Sequence, residues 1–515
     1  MTEPLPEHAL GAPPRIGHPV AERLAGGPRR DAGAEPGAPD GPEPPAKPLR
    51  RLAVWSWIGF DFAAQPFFTV VLTFVFGPYF VAHLAEDPAR GQSAWALAAG
   101  ATGLLVAIAS PLLGQRADRL GPVKPLLLLL ALVQVVACFA LWTAAPGSAL
   151  LPIAVAVVLA GVAAELSVVL NDTLLPSLVP RASLGLVSNI AWGTGYVGGI
   201  LALIVTLGLL AAEPDTGRTL LGLAPLFGLD PASYEGARAS GPLAALWYLA
   251  FVWPMFLFVP DRPRRAPVER LETDTPAPFW RTLRGDLLAH PRLARFIGAR
   301  MLYQDGINAL LVLGGAFAAA TFGWTTTESG VFGLLLAIAA TFGCLGAAFL
   351  DRRFGPRPVL LAGLALLTLA TLGIVSTGPS STLFGLVSFA AREGAAGLFG
   401  QPAEKAFLLY GLMIGIAFGP VQASSRSALA MAVPVADAAR WFGLYALAGR
   451  ATGFLAPLMV AGATALASLW TEPTTATRIG MAVIGLFFVS GLLLLPRHIA
   501  PGAAGGGDPP LKPFR

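Results

Sequence analysis

Asp61, Glu165, Asp172, Arg300, Asp305, Arg426 and Arg450 each stand inside or at the edge of a long apolar run. A charge in such surroundings is costly unless it is paired or hydrated, so these residues are the first candidates for function. A carboxylate there can carry a proton or hold a substrate amine, and a guanidinium can grip a carboxylate with two parallel bonds. Asp61 lies ten residues past Arg51, and Asp305 ten past Arg295. At 1.5 Å rise per helical residue, both reach about 15 Å beyond a basic anchor. Asp61 and Asp305 are therefore the leading candidates for proton coupling or substrate binding. Structural polar contacts are the competing explanation. Glu165, Arg300, Gln304 and Asn308 join this set, although they could equally bridge helices, as could Asn171 and Gln422.

A second layer lies closer to one boundary. Asp172 and Arg426 are 254 residues apart, each eight residues before a proline, Pro180 and Pro434. Arg450 reaches a comparable depth. Opposite charges at matching depth predict a gate of Asp172, Arg426 and Arg450 that parts when two halves of the molecule rock. Two alternatives stay open: a substrate carboxylate on Arg426 or Arg450, or a static ion pair. No histidine lies deep in an apolar run, so proton coupling would fall to carboxylates. No phosphate-cradling Gly-Lys-Ser/Thr loop, metal-spaced His/Cys cluster or Ser-His-Asp set is present, which argues against an enzyme, a metal site, a cofactor or ATP-driven pumping.

The elements that position these groups follow from composition. Only 13% of the 515 residues are charged, 55% are hydrophobic, and mean hydropathy is +0.66. Soluble domains carry about 25% charged residues. A bilayer-crossing helix needs about 20 mostly apolar residues, and runs such as Pro125–Ala145 are too long and unbroken for barrel strands. The runs predict spans at 55–80, 94–114, 124–145, 149–172, 184–211 and 241–260. Six more follow at 294–320, 328–350, 358–377, 405–431, 441–466 and 477–496. The expected architecture is all-α and polytopic: twelve transmembrane helices in two pseudo-symmetric six-helix bundles, 51–260 and 293–498. Cys138 and Cys344 fall within apolar runs and read as packing residues.

Basic residues set the orientation. Of 35 lysines and arginines, 25 fall in the tails and even-numbered loops or at their edges, against six in the odd-numbered loops. This asymmetry predicts both termini and the central linker on the cytoplasmic side. Residues 1–50 contain twelve prolines and no apolar segment, so they read as a disordered tail without a cleavable signal. Residues 499–515 read as a second tail. In the linker 261–292, Phe279, Trp280, Leu283, Leu287 and Leu288 recur at helical spacing with Arg281 and Arg284 between them, which suggests a short interfacial helix.

The chain repeats itself. Asp118-Arg119-Leu120-Gly121-Pro122 follows span 2, and Asp351-Arg352-Arg353-Phe354-Gly355-Pro356 follows span 8, with the aspartates 233 residues apart. Later landmarks (Pro180 with Pro434, Gly195 with Gly449, Gly199 with Gly453) keep an offset of 254. The difference places about 20 extra residues in 378–404, expected to face outward. In the first motif, Gly114 admits a close helix approach, Asp118 is suited to cap a neighbouring helix, and Gly121 permits a tight turn. Arg119, Lys124 and, in the second motif, Arg352 hold the loops on the basic side.

This loop resembles the signature of the Major Facilitator Superfamily. Within it, Trp57-Ile58-Gly59-Phe60-Asp61-Phe62-Ala63 with Thr73-Phe74-Val75-Phe76-Gly77-Pro78-Tyr79-Phe80 is similar to the first span of the vacuole-effluxer-like branch. That branch contains the autophagy-related amino-acid effluxers of fungi and many bacterial members. Asn171-Asp172-Thr173-Leu174-Leu175-Pro176, Tyr303-Gln304-Asp305-Gly306, Gln422-Ala423-Ser424-Ser425-Arg426-Ser427 and Phe442-Gly443-Leu444-Tyr445 agree with it. The chain departs where the branch usually has Asn-Ser after Asp-Phe-Ala: here stand Ala64 and Gln65, then Pro66, in a stretch expected to face the cavity.

The resemblance implies the export of amino acids or similar small solutes; the half-on-half repeat predicts alternating access, and the intramembrane carboxylates make protons the expected coupling ion. Export of drug-like amphiphiles, or a non-transporting assembly factor or sensor on the same fold, are the alternatives. The expected partners are a small solute, protons and the lipid bilayer, with no nucleic acid and a monomeric state. High Ala, Gly and Arg usage suggests a bacterial cytoplasmic membrane.

Overall fold

A computed structural model describes residues 47–84, 87–263, 279–324, 326–390 and 398–497. Most of the two expected tails and part of the linker lie outside these residues. The long helices are α1 Arg50–Leu84, α2 Arg90–Leu120, α3 Lys124–Thr143, α4 Leu150–Leu178, α5 Arg181–Leu210 and α6 Glu235–Phe258. They continue with α7 Pro291–Phe322, then α8 Glu328–Phe354, α9 Pro356–Ser376, α10 Pro402–Ala432, α11 Val435–Ala467 and α12 Pro473–Leu494. Eleven of them are long and apolar enough to cross a membrane. The twelfth, α7, has 32 residues and is about 48 Å long at 1.5 Å per residue. Several helices outrun their apolar cores, because charged turns such as Arg116–Leu120 continue the hydrogen-bonded ladder beyond the hydrocarbon.

In the first bundle α1 packs on α5 and α6, α3 on α4 and α6, and α2 on α4. In the second, α10 packs on α8 and α9, and α12 on α7, α9 and α11. The bundles meet chiefly along α2–α11 and α5–α8, two contacts exchanged by the internal repeat. Absent side chains make these seams possible. A Cβ on Gly114 would overlap the Ala439 carbonyl, and one on Gly443 would overlap that of Ser110. Ser110 Oγ donates to the Gly443 carbonyl at 3.1 Å, tying the crossing together. On the other seam Cys344 is fully buried beside Gly193 and Gly419, a packing role.

Two helices are irregular where the site lies. In α1, regular helix gives way after Pro66 to a π-helical stretch, Phe67–Phe74. Proline lacks the N–H that continues the ladder, so a register change there is natural. In α11 the helix breaks between Ala438–Arg450 and Leu455–Ala467. The linker contains a helix, Phe279–Ala289. Its Asp286 is buried and pairs with Arg440 at the start of α11 at 3.3 Å, while Leu288 stays exposed.

The segment after α9 folds into a small hairpin, Ser381–Thr382 against Val387–Ser388. A long connection also joins α5 to α6, with Leu226–Gly228 as a short helical turn, and α6 opens on the turn Glu235–Arg238. Within it Arg238 donates two hydrogen bonds to the Trp142 carbonyl and lies over that tryptophan's ring.

The α2–α11 seam yields a prediction. Gly114→Val should hold the two helix ends apart, lengthening the distance between spin labels at Arg119 and Ala436. An unchanged distance distribution would show that the seam tolerates bulk.

Candidate functional site

Arg426, on α10, is buried and is satisfied entirely by the opposite half. Its Nη1 donates to Asp61 Oδ2 of α1 at 3.1 Å and to Asp172 Oδ1 of α4 at 3.0 Å. Nε donates to Ser188 Oγ of α5 at 2.8 Å and Nη2 to the Ser188 carbonyl at 2.9 Å. The guanidinium also lies over the rings of Trp57, at 4.8 Å, and Trp192, at 5.9 Å. Such aromatic faces favour a cation further. Two carboxylates thus share one guanidinium, leaving one negative charge in surplus.

Above this cluster opens a cavity of about 330 Å³, at the small end of ligand pockets, which run roughly 300–1,000 Å³. It is lined by Asp61, Glu165, Asp172, Arg300, Arg426 and Arg450 together with Gln304, Asn308 and Gln422. Ala64 and Gln65, where the sequence departs from the effluxer pattern, line it as well. Arg450 pairs with Glu165 across the halves, and both are partly exposed to the cavity. Arg300 is differently placed. Its Nη1 donates to Gln304 Oε1 and Gln422 Oε1, both at 3.3 Å, and its Nε to the Tyr445 carbonyl at 3.4 Å.

Asp305 does not line this cavity. It is buried, and its Oδ2 accepts from Ala456 N at 3.0 Å, capping the second segment of the broken α11. The helical repeat explains the difference from Asp61. Gly195 of α5 lies against Asp61, with a built Cβ 3.4 Å from that residue's Cβ. Its repeat partner Gly449 lies instead against Arg300 Nη2 (3.4 Å) and Gln304 Cγ (3.7 Å). One residue along a helix rotates a side chain by about 100°, so Gln304 takes the inward position and Asp305 turns toward α11.

The loop-motif residues gather at the end where α1 begins and α12 ends. Asp118 accepts from Ala439 N (3.1 Å) and Arg440 N (2.7 Å) at the first turn of α11, and from Arg262 Nη1 (2.8 Å). Arg262 further donates to the Val435 and Ala436 carbonyls, locking the post-α6 segment onto the same turn. Asp351 accepts from Ser424 Oγ (2.6 Å), Ser427 Oγ (3.2 Å) and Asn189 Nδ2 (3.3 Å), and sits where Gly185 has no side chain. Each motif aspartate therefore reaches the opposite bundle. Gly121 makes its turn at φ 91°, and Lys124 Nζ donates to the Phe256 carbonyl at 2.8 Å. Arg119 and Arg352 are exposed. Ser188, Asn189 and Arg262 escaped the sequence reading because isolated small polar residues in an apolar helix, or one arginine among many in a linker, carry no distinguishing pattern. Among the described residues no His/Cys/Asp/Glu cluster could hold a metal.

Two six-helix bundles with this repeat, enclosing a charged central cavity, give the fold of the Major Facilitator-type transporters, a multi-pass membrane architecture. The fold matches the human organic anion transporter MFSD10 at TM-score 0.61 and 17% identity, over 88% of this chain and 100% of that one. It matches the proton:xylose symporter XylE at TM-score 0.62 and 14% identity, over 88% and 96%. The chain belongs to the family "Vacuole effluxer Atg22 like", whose model matches residues 92–498. Among relatives, "Autophagy-related protein 22" of Coccidioides immitis is 24% identical over 58% of this chain but only 47% of its own length, so the match spans about half of that protein. The "Uncharacterized MFS-type transporter YxiO" of Bacillus subtilis is 21% identical over 85% of this chain and 93% of its own.

Removing Arg426 strands two buried carboxylates, and breaking a buried pair in this way costs roughly 3–5 kcal/mol. Arg426→Ala should therefore lower the thermal unfolding midpoint markedly, and adding Asp61→Asn and Asp172→Asn should restore most of the loss. Additive losses in the triple variant would contradict the shared-charge arrangement.

Proposed function

We propose that the protein exports amino acids in exchange for protons by alternating access, with Asp61 and Asp172 as the coupling pair and Arg426 as the gate. The observation that carries this reading is the single guanidinium shared by two carboxylates across the halves at the floor of the cavity. A proton neutralises the surplus negative charge when no substrate is bound, and a substrate ammonium does so when one is. Because the two compete for one charge deficit, their movements are opposed. Protonation of one carboxylate frees Arg426 to hold only the other, which weakens the closure and lets the halves part.

The cavity volume suits a single small solute, and the family's effluxer description supports the outward direction. The excess of basic residues at the end bearing the loop motifs supports placing that end, and both termini, in the cytoplasm. Ala- and Arg-rich usage supports a bacterial inner membrane. Asp305, as a helix cap, has a structural part in this scheme and no share in coupling.

Uptake of a labelled amino-acid mixture into proteoliposomes, with and without an imposed pH gradient, tests the proposal. Wild type should show accumulation that depends on an imposed pH gradient. Asp61→Asn removes the surplus charge that proton and ammonium share, so it should lose gradient-driven accumulation and weaken exchange of solute for solute, whereas Asp305→Asn should keep its gradient dependence in whatever fraction folds. Gradient-driven transport that survives in Asp61→Asn, or no amino-acid movement in folded wild type, would overturn it.

A further inference from the structure

Six charged side chains line the cavity, three of each sign, so its net charge is zero. The pairing is uneven. Arg450 is matched by Glu165, and Arg426 is matched by Asp61 and Asp172 together. One negative charge is therefore left over on the first half. One positive charge, Arg300, is left on the second, for among the described residues no carboxylate forms an ion pair with it.

The setting of Arg300 is that of a prepared receptor. The side chain is 8% exposed, and its Cζ lies 3.4 Å from the centroid of the Tyr445 ring. Stacking fixes the guanidinium plane and leaves its edge available, the geometry that a carboxylate engages with two parallel hydrogen bonds. The hydrogen bonds it makes are with neutral oxygens at 3.3–3.4 Å, the long end of the range. Nη2 faces Gly449, a cavity-lining position with no side chain to fill the space. The repeat sets this receptor opposite Asp61: Gly449 backs the Arg300–Gln304 face as Gly195 backs Asp61.

We propose that Arg300 receives the carboxylate of the substrate while the Asp61–Asp172 pair receives its ammonium, so that the cavity selects zwitterions by their dipole. This rests on the amino-acid reading above and assigns the two ends of the solute within that site. Tyr445 acts as a positioning residue, holding the guanidinium flat. Bare amines would leave Arg300 without its counter-charge, and bare carboxylic acids would leave the carboxylate pair without one. Either deficit is a mechanism for rejection as well as for recognition.

Ligand-induced thermal stabilisation of the purified full-length protein tests the assignment, using each of the twenty amino acids as probe. Each amino acid is compared with its decarboxylated amine and its deaminated acid. For leucine these are 3-methylbutylamine and 4-methylpentanoate. The expected result is that wild type binds the amino acid and rejects both analogues. Arg300→Gln should weaken binding of the amino acid by about 30-fold or more, and Arg300→Lys should recover part of it. The unliganded midpoints of both variants establish that they are folded.

Amino-acid binding that is unchanged in folded Arg300→Gln would overturn the assignment and leave amino-acid export standing. Binding of carboxylic acids alone, lost in Arg300→Gln, would uphold Arg300 as the anion receptor and overturn the amino-acid reading. Binding of amines alone, or of no amino acid, amine or acid in the set, would overturn both.

Discussion

The structure depends on Arg426. A guanidinium from one bundle finds all four of its described hydrogen-bond partners in the other: two carboxylates, a hydroxyl and a carbonyl. A buried charge is costly on its own, so the two bundles are held together at this level for as long as those partners stay in place. Repeat-related bundles that also meet through small-residue packing, the Arg450–Glu165 pair and the two motif aspartates acquire in this way a buried contact whose strength depends on charge. The same cluster forms the floor of the cavity, so whatever enters the cavity meets the group that holds the halves closed.

Around that contact the internal repeat has been put to unequal use. Asp118 and Asp351 arise from the same motif and both reach the opposite bundle. Asp118 caps the backbone of α11 and is backed by Arg262, whereas Asp351 is held by the hydroxyls of α10 and the amide of Asn189. Asp61 and Gln304 occupy corresponding inward positions, yet one is charged and paired while the other supports an arginine. A symmetric scaffold thus yields a cavity with a negative deficit on one wall and a positive one on the other.

Much of the architecture was legible because the bilayer imposes a strong pattern. The twelve expected spans correspond to twelve long helices among the described residues, eleven of them long and apolar enough to cross a membrane, and the repeated Asp-Arg loops locate the ends at which the bundles meet. The matching depth of Asp172 and Arg426 could be counted from their prolines, and the structure brings those two side chains together. Depth alone does not give azimuth. Counting from Arg51 and Arg295 set Asp61 and Asp305 at equal heights, but the helical rotation that turns Asp305 toward Ala456 depends on how α7 packs, which no spacing encodes. Ser188 and Asn189 were silent for a related reason: a small polar residue in an apolar helix looks the same whether it bonds its own backbone or another helix. The long α5–α6 connection was readable only as a gap between spans.

The central claim is that the charge on Asp61 and Asp172 decides whether the halves stay closed around Arg426. The most direct test is the distance between spin labels at Ser177, at the end of α4, and Val435, at the start of α11, followed across pH in wild type and in the Asp61→Asn/Asp172→Asn variant. The predicted result is a closed-to-parted equilibrium that shifts with pH in wild type, and a parted population that is enlarged and no longer pH-dependent in the variant. A variant with the same distribution and the same pH response as wild type would contradict the claim.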